Sequence, residues 1–184
     1  MNLPLFFIAL LPDEGIAKEI TDFKHDCTRL ANACHALKSP PHLTLVPPFA
    51  WPHRRLRELT LALASFARGI APFEVVLHDF DHFGSRVIFV GVPDNPALEA
   101  MQSALLGHLE KEAELSSERG RRFHPHVTIA HRDLKPSAFP MAWAHFSKME
   151  YRRTFYADRL VLLEHVKGRW EVGESFDFEA QTDG

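Results

Sequence analysis

The sequence predicts a mixed α+β domain, and three observations carry that prediction. Short apolar runs of strand character alternate with stretches whose apolar residues recur every three or four positions. At least two strand pairs are joined by tight turns, at Gly84-Ser85 and Lys167-Gly168, so the sheet is not purely parallel. A four-residue pattern also occurs twice, 84 positions apart in a chain of 184, which points to two related lobes within one domain spanning residues 1–184. A chain of this length buries roughly 70% of its unfolded surface and needs neither disulfide nor metal to fold.

Phe6-Phe7-Ile8-Ala9-Leu10 is a continuous apolar run typical of a central strand. Pro12-Asp13-Glu14-Gly15 opens a helix, with the Asp13 carboxylate placed to accept an orphan backbone N–H. Ile16, Ile20, Phe23, Cys27, Leu30 and Cys34 give it one apolar face as far as Cys34, and Lys38-Ser39-Pro40-Pro41 stops it. His42-Leu43-Thr44-Leu45-Val46 is the next strand, ended by Pro47-Pro48. A helix over 54–66 buries Leu56, Leu59, Leu63 and Phe66 and closes at Arg68-Gly69. Segments 73–83 and 86–92 form an antiparallel pair. Pro93-Asp94-Asn95-Pro96 starts a third helix, with Leu98, Met101, Leu105 and Leu109 on one face. A polar, basic loop follows over 116–122, then a strand over 126–130 and a helix over 136–148. Three late strands run near 151–156, 159–166 and 170–178, before a frayed tail over 180–184.

The formal charge is −3, from 21 basic and 24 acidic residues. That excludes a polybasic protein that grips long duplex nucleic acid by charge, but it leaves room for a pocket that takes one nucleotide end. Cys27 and Cys34 stand seven apart, so on one helix they share a face and make a poor bridge. Reduced thiols in a cytoplasmic protein are the expectation. The apolar start lacks a basic flank, meets Asp13 and Glu14 at once and is too short to cross a bilayer, so no signal or membrane span is expected. No Gly-rich phosphate loop, serine elbow or Cys-x-x-Cys is present. The number that stands out is 12 histidines, because imidazole titrates near neutral pH.

Two of the 12 belong to the repeat. His42-Leu43-Thr44-Leu45 and His126-Val127-Thr128-Ile129 share the order His, aliphatic, Thr, aliphatic, and each follows a proline, Pro41 or Pro125. Alternation along a strand puts His and Thr on one face and the two aliphatics on the other. With the aliphatic faces in a core, the two strands together present two imidazoles and two hydroxyls to a cleft. Such a cleft suits a phosphodiester. One neutral imidazole removes a proton from the attacking oxygen, and one imidazolium protonates the leaving oxygen. The threonine hydroxyls stabilise the charge that develops on phosphorus oxygens. The chemistry requires no metal.

The extended stretches Pro41-His42-Leu43-Thr44-Leu45-Val46-Pro47-Pro48-Phe49 and Phe123-His124-Pro125-His126-Val127-Thr128-Ile129-Ala130 resemble the two-histidine (2H) phosphoesterase superfamily, and within it the 2′-5′ RNA ligase-like branch. The resemblance covers essentially the whole chain. It implies a bilobal, pseudo-symmetric α+β fold, with two mostly antiparallel sheets flanking a central cleft and helices outside. It implies hydrolysis of 2′,3′-cyclic phosphates to 2′-phosphates without a cofactor, with reversible 2′-5′ ligation as a side activity of some members. The partner is then an RNA 3′ end or a small cyclic nucleotide, with no membrane and no obligate protein partner. His42, Thr44, His126 and Thr128 occupy the motif positions, and by analogy His126 is the base and His42 the acid. One position departs from the pattern. Many relatives of the RNA cyclic-phosphodiesterase type carry Arg five residues after the second motif His; here that residue is His131, followed by Arg132. Regular alternation puts Arg132 on the His126 face, whereas a bulge brings His131 there instead.

Phe49 and Phe83 are candidates to stack on a base, against ordinary packing in a chain with 15 phenylalanines. Arg119, Arg121, Arg122 and Arg132 surround the second motif and Lys38 precedes the first; all are candidates to attract a phosphate. His124 forms a His-x-His pair with His126, a spacing that puts two metal ligands on one strand face. No nearby Asp/Glu set completes a coordination sphere, so His124 is read as a rim residue and no metal is expected. His25, His35, His53, His78, His82, His108, His145 and His165 have no patterned partner and are read as surface or structural residues; Trp51, Trp143 and Trp170 are read as packing. The alternative to an enzyme is a nucleotide- or RNA-end-binding module using the same cleft. Binding alone does not need two imidazoles in different protonation states, which favours catalysis.

Overall fold

The computed structural model describes residues 3–116 and 122–179. Its elements run β1 (Leu5–Leu10), α1 (Glu14–Ala31), β2 (Leu43–Ala50), α2 (Leu56–Ala67), β3 (Phe73–Phe83), β4 (Val87–Gly91), α3 (Pro96–Ala113), β5 (His126–Ala130), α4 (Phe139–Phe146), β6 (Arg152–Ala157), β7 (Arg159–Val166) and β8 (Arg169–Asp177). The strands form one curled antiparallel sheet in the order β6-β3-β4-β5-β2-β1-β7-β8. The two motif strands, β2 and β5, are therefore neighbours at its centre. Their pairing is confined to Leu43 opposite Val127. Two sheets flanking a cleft were expected; the halves β6-β3-β4-β5 and β2-β1-β7-β8 meet at that one pair and so make a continuous sheet.

The period of two along each strand sorts the faces of the sheet. Phe6, Ile8 and Leu10 of β1, Leu43 and Leu45 of β2, Val127 and Ile129 of β5, and Leu160 and Leu162 of β7 enter one large core. The apolar stripes of the helices close that core, through Ile16, Ile20 and Cys27 of α1, Leu59 and Leu63 of α2, Leu98 and Leu105 of α3, and Phe146 of α4. The alternate residues Phe7, Ala9, Val161 and Leu163 form a small separate cluster on the other face, with Trp170 against it. Burying one such aliphatic or aromatic side chain is worth about 1.5–3 kcal/mol, so the helix-covered face holds the fold together and the other face is left for chemistry.

Three boundaries differ from expectation. α1 ends at Ala31 rather than Cys34, because Asn32 takes a left-handed conformation (φ 53°), and the helix closes with Asn32 N–H on the Thr28 carbonyl and Ala33 N–H on the Cys27 carbonyl. Cys27 is buried and Cys34 is exposed beyond the helix, so the two do not share a helical face. β2 continues through Pro47-Pro48 to Ala50. Its register with β1 shifts across that stretch, and β5 does not pair there, so the missing proline N–H groups forfeit no bond to β5. α4 is shorter than the 136–148 expected, running only over Phe139–Phe146. The β7–β8 hairpin turns at Lys167 and Gly168, both with positive φ (48° and 83°), as a two-residue turn between twisted strands requires. Arg119 and Arg121, most of the basic loop, and the 180–184 tail lie outside the described residues. Among the described residues no helix is long and apolar enough to cross a membrane.

Candidate active site

Extending the Leu43–Val127 register by one residue each way sets His42 opposite Thr128 and Thr44 opposite His126. In a regular ladder that register makes the two histidines diagonal neighbours on one face of the sheet.

Both rings are anchored the same way. His42 Nδ1 lies 2.7 Å from the Pro40 carbonyl, and His126 Nδ1 lies 2.6 Å from the His124 carbonyl. A carbonyl only accepts, so Nδ1–H donates in each case and the lone pair of the neutral ring sits on Nε2. The prolines of the repeated pattern explain why the acceptor is two residues back. Pro41 and Pro125 restrict the residue before them to extended backbone, and that residue supplies the carbonyl.

His42 stands in the wall of a cavity of about 230 Å³ that is also lined by Thr44, Thr128, Phe7, Trp170 and Lys38. The Phe7 ring lies 4.6 Å from the His42 ring and 4.7 Å from Trp170. This packing strips water from the imidazole and pushes its pKa down to about 4, a shift that Lys24 and the imidazoles of His131 and His126 reinforce and the Pro40 hydrogen bond opposes. His42 is accordingly neutral in the empty cleft at pH 7. Beneath it Lys24 is 2% exposed, with Nζ donating to the Ser39 carbonyl at 2.9 Å. Burial lowers the Lys24 ammonium to about 8.

His126 has different company. Its ring lies 5.2 Å from Phe83 and 4.9 Å from Phe89, and His124 packs edge-on against the same two phenylalanines. His126 is not among the residues lining the cavity, whereas Thr128, two residues on, is. Phe83 is 41% exposed and so offers a ring beside His126. Phe49 does not line the cavity. It packs on Phe6 (6.4 Å) and Trp51 (6.4 Å) against the helix-covered core, because it occupies the alternate face of β2. Arg122 is exposed and likewise stands outside the cavity wall. The choice between His131 and Arg132 does not arise, since both line the cavity. The chain leaves β5 after Ala130 and Arg132 turns left-handed (φ 59°), which ends strict alternation. Among the described residues no group of three His, Cys, Asp or Glu could hold a metal ion.

A model of the 2′-5′ RNA ligase superfamily matches residues 12–169. The chain belongs to that superfamily. A protein of Geobacillus sp. (strain WCH70), named "Putative phosphoesterase", is 28% identical over 172 residues, 92% of this chain and 93% of its own. TT0787 of Thermus thermophilus shares the fold at a TM-score of 0.71 with 18% identity, over 96% of this chain and 99% of that one. E. coli LigT in its complex with 3′-AMP does so at 0.68 with 17% identity, over 96% and 99%. These structures carry the same LigT-like 2H phosphoesterase fold as the present chain.

Membership in the 2′-5′ RNA ligase superfamily accounts for the motif residues but not for the rest of the cavity wall. Sequence reasoning misses His35, Phe7 and Trp170 of that wall, and Lys24, which stands outside it and acts on His42 through its charge. Lys24 was legible in part, since it falls on the helical stripe of Ile16, Ile20 and Cys27. A lysine there must bury its charge or find a partner. His35 and Trp170 carry no local signal, because a short 3-10 helix and a distant hairpin bring them to the cavity.

Proposed function

We propose that this protein hydrolyses a 2′,3′-cyclic phosphate, at an RNA end or on a small nucleotide, to a 2′-phosphate by metal-independent acid–base catalysis. The observation that carries this reading is the matched pair of imidazoles, each locked through Nδ1–H to the carbonyl two residues back and each flanked by a motif threonine. In the reaction water attacks phosphorus and the bond to O3′ breaks. One Nε2 takes the water proton and the other imidazole delivers a proton to O3′. Thr44 and Thr128 donate hydrogen bonds to the non-bridging oxygens as charge builds on them. Complexes of E. coli LigT with ATP, 3′-AMP and NADP+ support a cleft of nucleotide size in this fold. The chain reads as one unit of two repeats: an offset of 84 residues carries α1 nearly onto α3 and β2 nearly onto β5.

Two considerations pull the roles of the rings apart. The resemblance makes His42 the acid, whereas burial keeps His42 neutral in the empty cleft, which suits a base. The bound phosphate decides between them, because an anion within reach of Nε2 raises its proton affinity. A leaving-group series reads the outcome. A diester with an activated aryl leaving group needs no acid, so it restores turnover to the variant lacking the acid and not to the one lacking the base. The overall reading is tested with 2′,3′-cyclic nucleotides in the presence of EDTA. Sustained turnover that yields 2′-phosphates supports it. Tight nucleotide binding with no hydrolysis of any cyclic phosphate would leave a binding module instead.

A further inference from the structure

The cavity that His42 lines also carries a second group of basic side chains that the acid–base step does not use. His35 and Lys38 stand at the two ends of a 3-10 helix, His35–Lys38. Three residues per turn eclipse positions i and i+3, so the two side chains leave the helix on one side. Both line the cavity, as do His131 and Arg132 from the chain just beyond β5. The His35 and His131 rings meet edge to face at 5.0 Å. Among the described residues that line this cavity none is a carboxylate. Asp133, adjacent in sequence, instead turns Oδ2 onto the backbone N–H groups of Cys34 and His35, each at 2.8 Å, and so clamps the 3-10 helix to the end of β5. That clamp holds two basic pairs from distant parts of the chain in the wall of one cavity. Two further details fit a site awaiting a ligand. His131 Nδ1 is buried without a hydrogen-bond partner. Arg132 holds a left-handed backbone (φ 59°), a strain of the kind that gathers at ligand sites.

The geometry points to a second phosphate subsite in this cavity, formed by His35, Lys38, His131 and Arg132, so that the favoured substrate carries another phosphate about one nucleotide unit from the reacting one. The inference rests on the phosphoesterase reading above and names its substrate class. Desolvation first, and then the charges of neighbouring basic groups such as Arg132, keeps both subsite imidazoles below the usual range, His131 at about 4. The empty subsite thereby avoids packing four cations together, and it gains charge as an anion arrives. The second phosphate has two sources: the 5′-phosphate of a mononucleotide, or the diester that links the last nucleotide of an RNA end to the one before it.

The test compares kcat/KM for adenosine 2′,3′-cyclic phosphate, its 5′-phosphorylated form, and the dinucleotide ApA ending in a 2′,3′-cyclic phosphate. One or both of the larger substrates should exceed the first by about tenfold or more, the equivalent of one good charge-assisted contact. The larger gain identifies the source. In the His35→Ala/Lys38→Ala double variant the advantage should shrink to within about threefold, a loss of most of that contact. Equal values for all three substrates in the wild type, or an advantage that survives in the double variant, overturns the subsite and leaves the phosphoesterase reading standing. If none of the three turns over, that reading fails by itself and calorimetry still tests the subsite. Adenosine 3′,5′-bisphosphate should then bind about tenfold more tightly than 3′-AMP to the wild type but not to the double variant, and equal affinities would refute the subsite.

Discussion

His42 and His126 share a motif, a tautomer and an anchor, yet they sit in opposite surroundings. His42 is packed against Phe7, with Trp170 against that ring, in a cavity wall it shares with Lys38, His131 and Arg132. His126 lies among Phe83, Phe89 and His124, with an exposed aromatic ring at its side. The difference teaches that a repeated sequence pattern sets the local geometry of a group, whereas its proton affinity is set by what the rest of the chain brings to it. Two chemically identical imidazoles can divide acid and base work only if their environments differ, so the asymmetry belongs to the proposed mechanism.

The sharpest way to break the comparison is to remove each ring in turn. His42→Ala and His126→Ala should each cut turnover of a 2′,3′-cyclic nucleotide by at least about 10²-fold, as removal of a general acid or base does. Wild-type rates in either variant would end the assignment for that ring. Thr44→Ala and Thr128→Ala should cost less, about 10- to 10²-fold in kcat with little change in KM, because their donors matter most when charge builds on the phosphate. A loss confined to KM would recast them as ground-state binders.

Smaller changes probe the surroundings of each ring. Phe83→Ala should raise KM roughly tenfold, the worth of one base-stacking contact, and should not move the titration of His42 in an NMR pH series. Trp170→Ala, by contrast, removes a ring from the cavity wall, so it should raise the His42 pKa from its value of about 4 towards 6.5. If the two variants exchange these effects, the division of the cleft into an aromatic and a buried side is wrong.

The same burial also makes stability depend on pH. His42 and His131 titrate near 6.5 when unfolded and at about 4 when folded. Between those values the unfolded chain binds protons that the native chain refuses. The stability present above pH 6.5 is therefore lost progressively as the pH falls towards 4. A Tm series from about pH 7 to about pH 4.5 should show this decline. It should flatten in His42→Asn and His131→Asn, and also with added inorganic phosphate if the anion recharges these rings.

Much of the site was legible before any coordinates. Leu43, Leu45, Val127 and Ile129 had to enter a core, so His42, Thr44, His126 and Thr128 had to share the opposite face, and strand alternation alone decides that. Asp13 was legible as a cap because a short carboxylate ahead of an apolar stripe has a backbone N–H to satisfy, and Asp13 does accept from Ile16 N–H. Phe49 reads as a cleft candidate because the strand is expected to end at Pro47-Pro48; β2 instead runs on to Ala50 and sets Phe49 opposite Phe6, on the core face. The end of α1 was placed one turn too late because Cys34 continues the apolar spacing, while an asparagine turned left-handed stops the helix at Ala31.

The amino-acid sequence by itself determined the four motif residues, the face they share and the prolines that hold their anchoring carbonyls, since each follows from bonds and steric limits within a few residues. Tertiary structure alone decided that β2 and β5 adjoin, that Phe7 and Trp170 wall in the His42 side while Phe83 flanks His126, and that Asp133 ties the 3-10 helix of His35 and Lys38 to the end of β5. Those contacts join residues up to about a hundred positions or more apart, and dehydration and charge act through space rather than along the chain.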